Sequence, residues 1–286
     1  MPRILIAGCG YVGQATADLF YTSGWIVEGW VNSTKSAAEL STKPYPVFAV
    51  NIMDPAQVSA RSVAVDGFDA VIHCVSSRGG DSDVYRQIYL SGARNILDRF
   101  ARARMLFTSS TSVYAQRDGS WVTEESETEP ERETGRILFE TERLVLASSG
   151  IVARLSGIYG PGRSALLSKF LAGSAVIDPE NDRFVNQVHR YDIAAALFLL
   201  VDLQSTSGEI YNVVDDQPIL QSECYHWLAK KLNRPIPPIG NSTSISKRGA
   251  SNKRVSNAKL RRVGWAPRYP TFAEAMARSI LPSFGV

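Results

Sequence analysis

The stretch Ile4-Leu5-Ile6-Ala7-Gly8-Cys9-Gly10-Tyr11-Val12-Gly13 decides how the chain is read. Four apolar residues in a row are the pattern of a strand buried on both faces of a parallel sheet. Gly8, Gly10 and Gly13 follow in G-x-G-x-x-G spacing, and Gln14 to Phe20 continues as a helix with Val12, Ala15, Leu19 and Phe20 on one face. Gly8 permits a tight turn out of the strand. Gly10 lets a pyrophosphate approach the backbone without meeting a Cβ, and Gly13 lets the helix pack close to the strand. The helix N-terminus then offers N–H groups and a positive dipole end to the phosphates. The spacing alone is weak evidence, but a strand before it and a helix after it are the context that the motif requires. Gly8, Gly10, Tyr11, Val12 and Gly13 are therefore expected at a dinucleotide. The plainer alternative is a glycine-rich turn that only packs.

Outward from this stretch, strands and helices alternate. Trp25 to Val31, Val47 to Val50, Phe68 to Val75, Arg104 to Thr108 and Ile151 to Leu155 read as further strands. Tyr85 to Ala103 and Gly135 to Ser148 read as amphipathic helices. This alternation implies right-handed crossovers and an α/β, Rossmann-type doubly wound parallel sheet. Val75, Ser76, Ser77 and Thr108, at the ends of two strands, are expected near the cofactor. The pattern loosens after Gly160-Pro161-Gly162, and 186–214 reads as a return to the sheet. The expected division is a dinucleotide-binding domain of 1–160 plus 186–214, and a smaller substrate lobe of 161–185 plus 215–286. Asn241 to Asn257 is rich in Ser, Asn, Lys and Arg and reads as an exposed loop.

Size and composition narrow the function classes. A chain of 286 residues with 44% hydrophobic content builds a sizeable core. A net charge of +3 with no long basic run argues against nucleic acid as partner. No apolar run approaches the ~18 residues of a membrane span. Cys9, Cys74 and Cys224 form no C-x-x-C pair, which points to a reducing compartment and away from zinc. His226 has no carboxylate or cysteine at ligand spacing, so no metal is expected. The chain enters a strand at once, so no signal peptide is expected. These features together read as a cytoplasmic protein with a small-molecule substrate.

The choice of dinucleotide rests on Val31-Asn32-Ser33-Thr34-Lys35. NAD sites place an acid about 20 residues past the glycines, where it binds the ribose hydroxyls. Here there is none, and Glu28 falls too early, inside the strand. Asn32, Ser33 and Lys35 would not repel a 2′-phosphate, and Lys35 would pair with one. NAD(P) is expected, with NADP slightly favoured; the alternative for Lys35 is a solvated lysine at a helix start. Asn51 follows the third strand, where it would meet the adenine edge or cap a turn.

Several stretches together carry a family resemblance. They are Gly8 to Gly13, Asp69-Ala70-Val71-Ile72-His73, Thr108 to Tyr114, Ala153 to Gly162, Val188 to Ala194 and Gly208 to Val213, then Asn257 to Leu260 and Val263-Gly264-Trp265. In this order and spacing the chain resembles the extended and atypical short-chain dehydrogenase/reductase superfamily, NAD-dependent epimerase/dehydratase-like proteins in particular, over nearly its whole length. The resemblance implies a cofactor across the strand C-termini, a C-terminal substrate lobe and hydride transfer to or from nicotinamide. It also implies a Ser or Thr after the fifth strand that binds the substrate hydroxyl, and a Tyr acid/base whose pKa a Lys four residues on lowers. The Ser maps to Ser110. The Tyr-x-x-x-Lys does not carry over: Thr134 and Leu138 stand at its two positions, and Tyr89 stands where a helical Asn is often found. Thr is too weak an acid to replace a phenol, and Leu carries no charge.

Substitutes for the missing pair are few. Tyr114, four residues past Ser110, offers a phenol or packs as a buried aromatic. His189 would be a base or a hydrogen-bonded structural histidine, and His73 lies in an apolar strand. Arg136 and Arg154 are candidates to hold an anionic substrate group, against a helical surface role for Arg136. Glu124, Glu125, Glu127, Glu129, Glu131 and Glu133 read as a solvated acidic loop. Lys247, Arg248, Lys253 and Arg254 line the polar loop; by the resemblance, basic residues in such lobes grip phosphorylated substrates. The resemblance also implies a possible homodimer through the helices Tyr85 to Ala103 and Gly135 to Ser148. Two functions stay open. One is an oxidoreductase, epimerase or dehydratase acting on a small polar or nucleotide-sugar-like substrate, with Ser110 and Tyr114 as catalytic candidates. The other is a non-catalytic NAD(P)-binding sensor.

Overall fold

The computed structural model describes residues 1–63, 67–77, 79–240 and 251–286. Lys247 and Arg248 lie outside the described residues. The chain divides into two compact units, Met1–Val113 with Thr128–Arg154 and Ile193–Tyr211, and Tyr114–Glu127 with Leu155–Asp192 and Asn212–Val286. The division is noncontiguous, but four stretches expected in the dinucleotide-binding domain, 114–127, 155–160, 186–192 and 212–214, cluster with the second unit. The first three of them supply strands to its small strand pairs.

The central sheet has seven strands: β1 (Arg3–Ala7), β2 (Ile26–Val31), β3 (Val47–Ala49), β4 (Ala70–His73), β5 (Arg104–Ser110), β6 (Ile151–Leu155) and β7 (Ile210–Val213). Their order is β3-β2-β1-β4-β5-β6-β7. The register sets Ile6 of β1 against Gly29 of β2 on one side and Ile72 of β4 on the other, all parallel. Ile4, Leu5 and Ile6 are fully buried, as a central strand covered on both faces requires. The strand order reverses between β1 and β4. In such sheets the crevice beyond the strand ends at that point is where ligands bind.

The helix expected over 85–103 is interrupted. It runs as Ser82–Tyr85, a π-helical stretch Arg86–Ser91, then Gly92–Arg99. Gly92 lies so close to Ile52 that a Cβ would come within 2.6 Å of its Cδ1. The carbonyl of Ile88 accepts a hydrogen bond from His73 Nε2 at 3.2 Å. His73 is therefore neutral, its proton on Nε2; burial pushes its pKa down to about 4. The charged end of β5 is also anchored: the Arg104 guanidinium donates to the carbonyls of Val201 and Leu203, the closing turn of the helix Arg190–Asp202.

The second unit has its own apolar core, with Leu167, Phe170, Tyr225, Leu228, Phe272 and Ile280 among its members. Three strand pairs frame it. Gln187–His189 runs parallel to Gly157–Tyr159, Ile219–Leu220 antiparallel to Phe184–Val185, and Arg254–Val255 parallel to Trp121–Val122. Asp192 ties down the C-terminal segment: its carboxylate accepts the N–H groups of Arg268 at 2.6 Å and Tyr269 at 3.1 Å. Burial raises its pKa to about 6. His189 is a structural residue. Its Nδ1 accepts from Tyr191 N, so Nε2 carries the proton and donates to Ser279 Oγ at 3.0 Å. Burial holds it neutral, its pKa near 4. No helix among the described residues is long and apolar enough to cross a membrane.

Candidate cofactor site

The first unit builds a phosphate cradle from β1 and the helix that follows, α1 (Tyr11–Thr22). Gly8 has φ +101°, the left-handed region that only glycine enters without strain. A Cβ there would also meet Val75 N at 2.5 Å. Gly13 packs so tightly that a Cβ would come within 2.2 Å of the Gly8 carbonyl oxygen. Gly10 is different: a Cβ would find its nearest neighbour at 4.0 Å. Its bareness therefore serves no packing need inside the protein. The N-cap of α1 is Gly10, which has no side chain to cap the helix, and the first turn carries no acid. A cradle of this shape, at the positive dipole end of a helix, fits a pyrophosphate.

Surrounding groups are neutral or turned away. Cys74 donates its thiol to the Gly8 carbonyl at 3.3 Å. Burial pushes the Cys74 thiol up, and that of Cys9 to about 11, so neither is a thiolate near the cradle. Glu28 is buried beside Trp30 Nε1 at 2.7 Å and paired with Arg61 at 2.7 Å, which removes it from any ribose. Ser33 spends its hydroxyl oxygen capping the helix Thr34–Glu39 through Ser36 N. Asn32 and Lys35 are exposed, and Lys35 makes no ion pair among the described residues. The Asn51 side-chain oxygen accepts from Met53 N at 3.1 Å and so caps a turn. Beyond β4, Val75 and Ser77 are half-buried and Ser76 is exposed; Ser77 N donates to the Tyr89 hydroxyl at 3.3 Å.

The remaining candidates separate by strand alternation. Thr108 donates to the His73 carbonyl at 3.2 Å, binding β5 to β4. Ser110 is half-buried and its hydroxyl accepts from Ser112 N, closing a turn. Ser109, on the opposite face, donates to Glu142 Oε1 at 2.5 Å. Thr134 lies in the first turn of the helix Glu133–Ala147, and Leu138 is buried in the same helix. Two candidates change role. Arg154, expected to face the substrate, is 1% exposed and forks onto Glu142 at 2.6 Å and 3.0 Å. Tyr114, a candidate acid, is buried in the second unit and donates its hydroxyl to Asn212 Oδ1 at 2.8 Å. Arg136 is exposed on its helix and pairs with Glu133 at 3.3 Å, one turn away. The sequence reading assigns Glu142 no role. Its signal was an acid on the apolar stripe of Ile137, Leu138, Thr141 and Val145.

The sheet order, the switch point and the glycine cradle define a dinucleotide-binding protein of the doubly wound class. Residues 4–213 match the NAD dependent epimerase/dehydratase family, and the chain belongs to that family. Protein YeeZ of Escherichia coli (strain K12) is 28% identical over 280 residues, 94% of this chain and 97% of that protein. Among solved structures, a Methylobacillus flagellatus protein described as of NAD-dependent epimerase/dehydratase type is 26% identical, with a TM-score of 0.81 over 100% of this chain and 99% of its own. The dTDP-glucose 4,6-dehydratase of Bacillus anthracis str. Ames, solved in complex with NAD, shares the fold at a TM-score of 0.83 and 16% identity, covering 100% and 97% of the two chains.

Proposed function

We propose that the protein is an NAD(P)-dependent oxidoreductase, epimerase or dehydratase acting on a small polar or nucleotide-sugar-like substrate, with NADP favoured over NAD. The observation that carries this reading is Gly10, bare where nothing in the protein needs it to be. A bound nicotinamide would supply or accept the hydride. Ser110 would hold the substrate hydroxyl, and the proton would travel by a group other than the family's phenol, since Thr134 and Leu138 stand in the place of that pair. The test is nicotinamide turnover with a panel of carbonyl compounds and sugar nucleotides. Turnover abolished by Ser110→Ala supports the enzyme.

The NADP preference rests on Lys35, exposed and unpaired, and on the absence of a carboxylate at the end of β2. An exposed ion pair contributes about 0.2–1 kcal/mol. Lys35→Ala is therefore expected to weaken NADP binding roughly two- to fivefold in calorimetric titration, with NAD unaffected. The difference should shrink as salt is raised. Equal losses for both coenzymes would remove Lys35 from the 2′-phosphate.

A second reading is favoured by Leu138, an apolar core residue at the lysine's position. Here the protein binds the dinucleotide without turning it over and reports its occupancy to a partner. Tight coenzyme binding, no turnover across the panel, and a coenzyme-dependent change in oligomeric state on analytical ultracentrifugation would favour that reading.

A further inference from the structure

Lys253 was read from sequence as one of several lysines and arginines on a polar loop, but the structure buries it. It is 4% exposed, and among the described residues its side chain has one partner, the Tyr114 carbonyl, to which Nζ donates at 2.9 Å. An ammonium has three N–H donors, so two are left unmatched. Among the described residues no carboxylate pairs with it. Burial alone acts on its pKa, lowering it to about 8. Arg154, also a buried cation, behaves differently: it is paired with Glu142. A buried cation without a counter-charge is strongly unfavourable unless something outside the chain completes it.

The framework around Lys253 is rigid and polar. Asn186 brackets its segment with both ends of its amide, donating to the Lys253 carbonyl at 2.9 Å and accepting from Val255 N at 2.8 Å. Asn186 O in turn accepts from Gly157 N. The residue before it, Ser156, is buried with a hydroxyl that has no hydrogen-bond partner among the described residues. On the far side, the Tyr114 ring is fixed by Asn212, whose own N–H is held by Glu124 Oε1 at 2.7 Å. Among the described residues, one unit thus presents an ammonium with one acceptor for its three donors and a hydroxyl with no partner, both on segments held by backbone hydrogen bonds. Donors without acceptors call for a ligand oxygen.

We propose that Lys253 is a ligand-binding residue whose ammonium, held by the Tyr114 carbonyl in the second unit, donates to one oxygen of a small monoanion, a carboxylate. One cation with neutral neighbours matches one negative charge; a diphosphate would ask for several cations. The proposal goes beyond the functional reading above and stands whether or not the protein turns over a dinucleotide.

The test uses the full-length protein, with acetate and inorganic phosphate as probes, and Lys253→Met, which keeps the length of the side chain and removes its charge. The wild type is expected to bind acetate by thermal shift and calorimetry. Lys253→Met is expected to lose at least about tenfold in acetate affinity while melting at the same or a higher temperature, because it removes an unpaired buried charge. A purely structural lysine predicts the opposite on both counts: a lower melting temperature and unchanged acetate affinity. Should the variant fail to fold, the wild type still decides. Reductive ¹³C-methylation marks the lysines, and the Lys253 signal, picked out as the resonance missing from Lys253→Arg, must shift with acetate. Absence of acetate binding up to roughly 100 mM, an unmoved Lys253 signal, or tighter binding of phosphate than of acetate would overturn the assignment.

Discussion

Gly10→Val is expected to abolish coenzyme uptake without weakening the fold, while Gly13→Ala is expected to weaken the fold itself. The two glycines are three residues apart and differ only in what surrounds them. The nearest atom that a Cβ at Gly10 would meet is the Gly8 carbonyl oxygen at 4.0 Å, and its φ of −93° lies outside the left-handed region that favours glycine. The side chain would instead fill the space over the N–H groups of α1, where the pyrophosphate must lie to reach them. Loss of that approach should cost at least about a hundredfold in affinity for NAD and NADP alike, on the order of 3 kcal/mol. The melting temperature should hold within about 2 °C, the range of a surface change. At Gly13 the new Cβ would sit 2.2 Å from the Gly8 carbonyl oxygen, a backbone atom that cannot swing away. Either α1 lifts from β1 or the turn at Gly8 is rebuilt, and overpacking of this kind costs about 3 kcal/mol or more. A drop in melting temperature on the order of 10 °C is expected. If Gly10→Val bound coenzyme as the wild type does, the cradle would be a packing device and the dinucleotide reading would fall.

The contrast between these glycines shows what a sequence carries and what it does not. Strand, turn and helix at residues 4–20 were legible because each rests on neighbours within a few positions: an apolar run, three glycines at fixed spacing, a 3.6-residue stripe. The absence of an acid in the residues that follow β2 is legible for the same reason. What escaped depends on partners far along the chain. Trp121–Val122 is too short to announce itself as a strand; it exists because Arg254–Val255 lies beside it. That pairing draws 114–127 into the second unit. Tyr114 stands close to Ser110 in sequence, which made it a candidate acid, but its hydroxyl is spent on Asn212. Lys253 looked like surface because its neighbours in sequence are polar; a carbonyl supplied by Tyr114 takes it inside. Arg154 reads from sequence as a candidate to hold a substrate anion, but it meets an opposite charge in the core instead, because the helix Glu133–Ala147 brings Glu142 against it.

That pair sets the second large effect. Arg154 and Glu142 have side chains 2% and 1% exposed, with Nη2 and Oε2 at 2.6 Å and Nε reaching both carboxylate oxygens. Ser109 adds a third donor to the same carboxylate. Glu142→Gln keeps the shape of the side chain and most of its bonding, but leaves the guanidinium charge uncompensated. Breaking a buried pair from one side costs about 3–5 kcal/mol. A fall in melting temperature on the order of 10 °C is expected, and Arg154→Met should fall by a similar amount, since it strands the carboxylate instead. The double variant Glu142→Leu with Arg154→Met should recover most of the loss, because removing both charges also removes their desolvation cost. A double variant no more stable than the sum of the singles would mean that each residue acts by shape and not by charge. The pair also bears on the site. It fixes Ser109, and alternation along β5 puts Ser110 on the opposite face. If the ion pair exists to hold that strand end in place, the stable double variant should bind coenzyme normally and yet lose turnover, separating what the charges do for the fold from what they do for the chemistry.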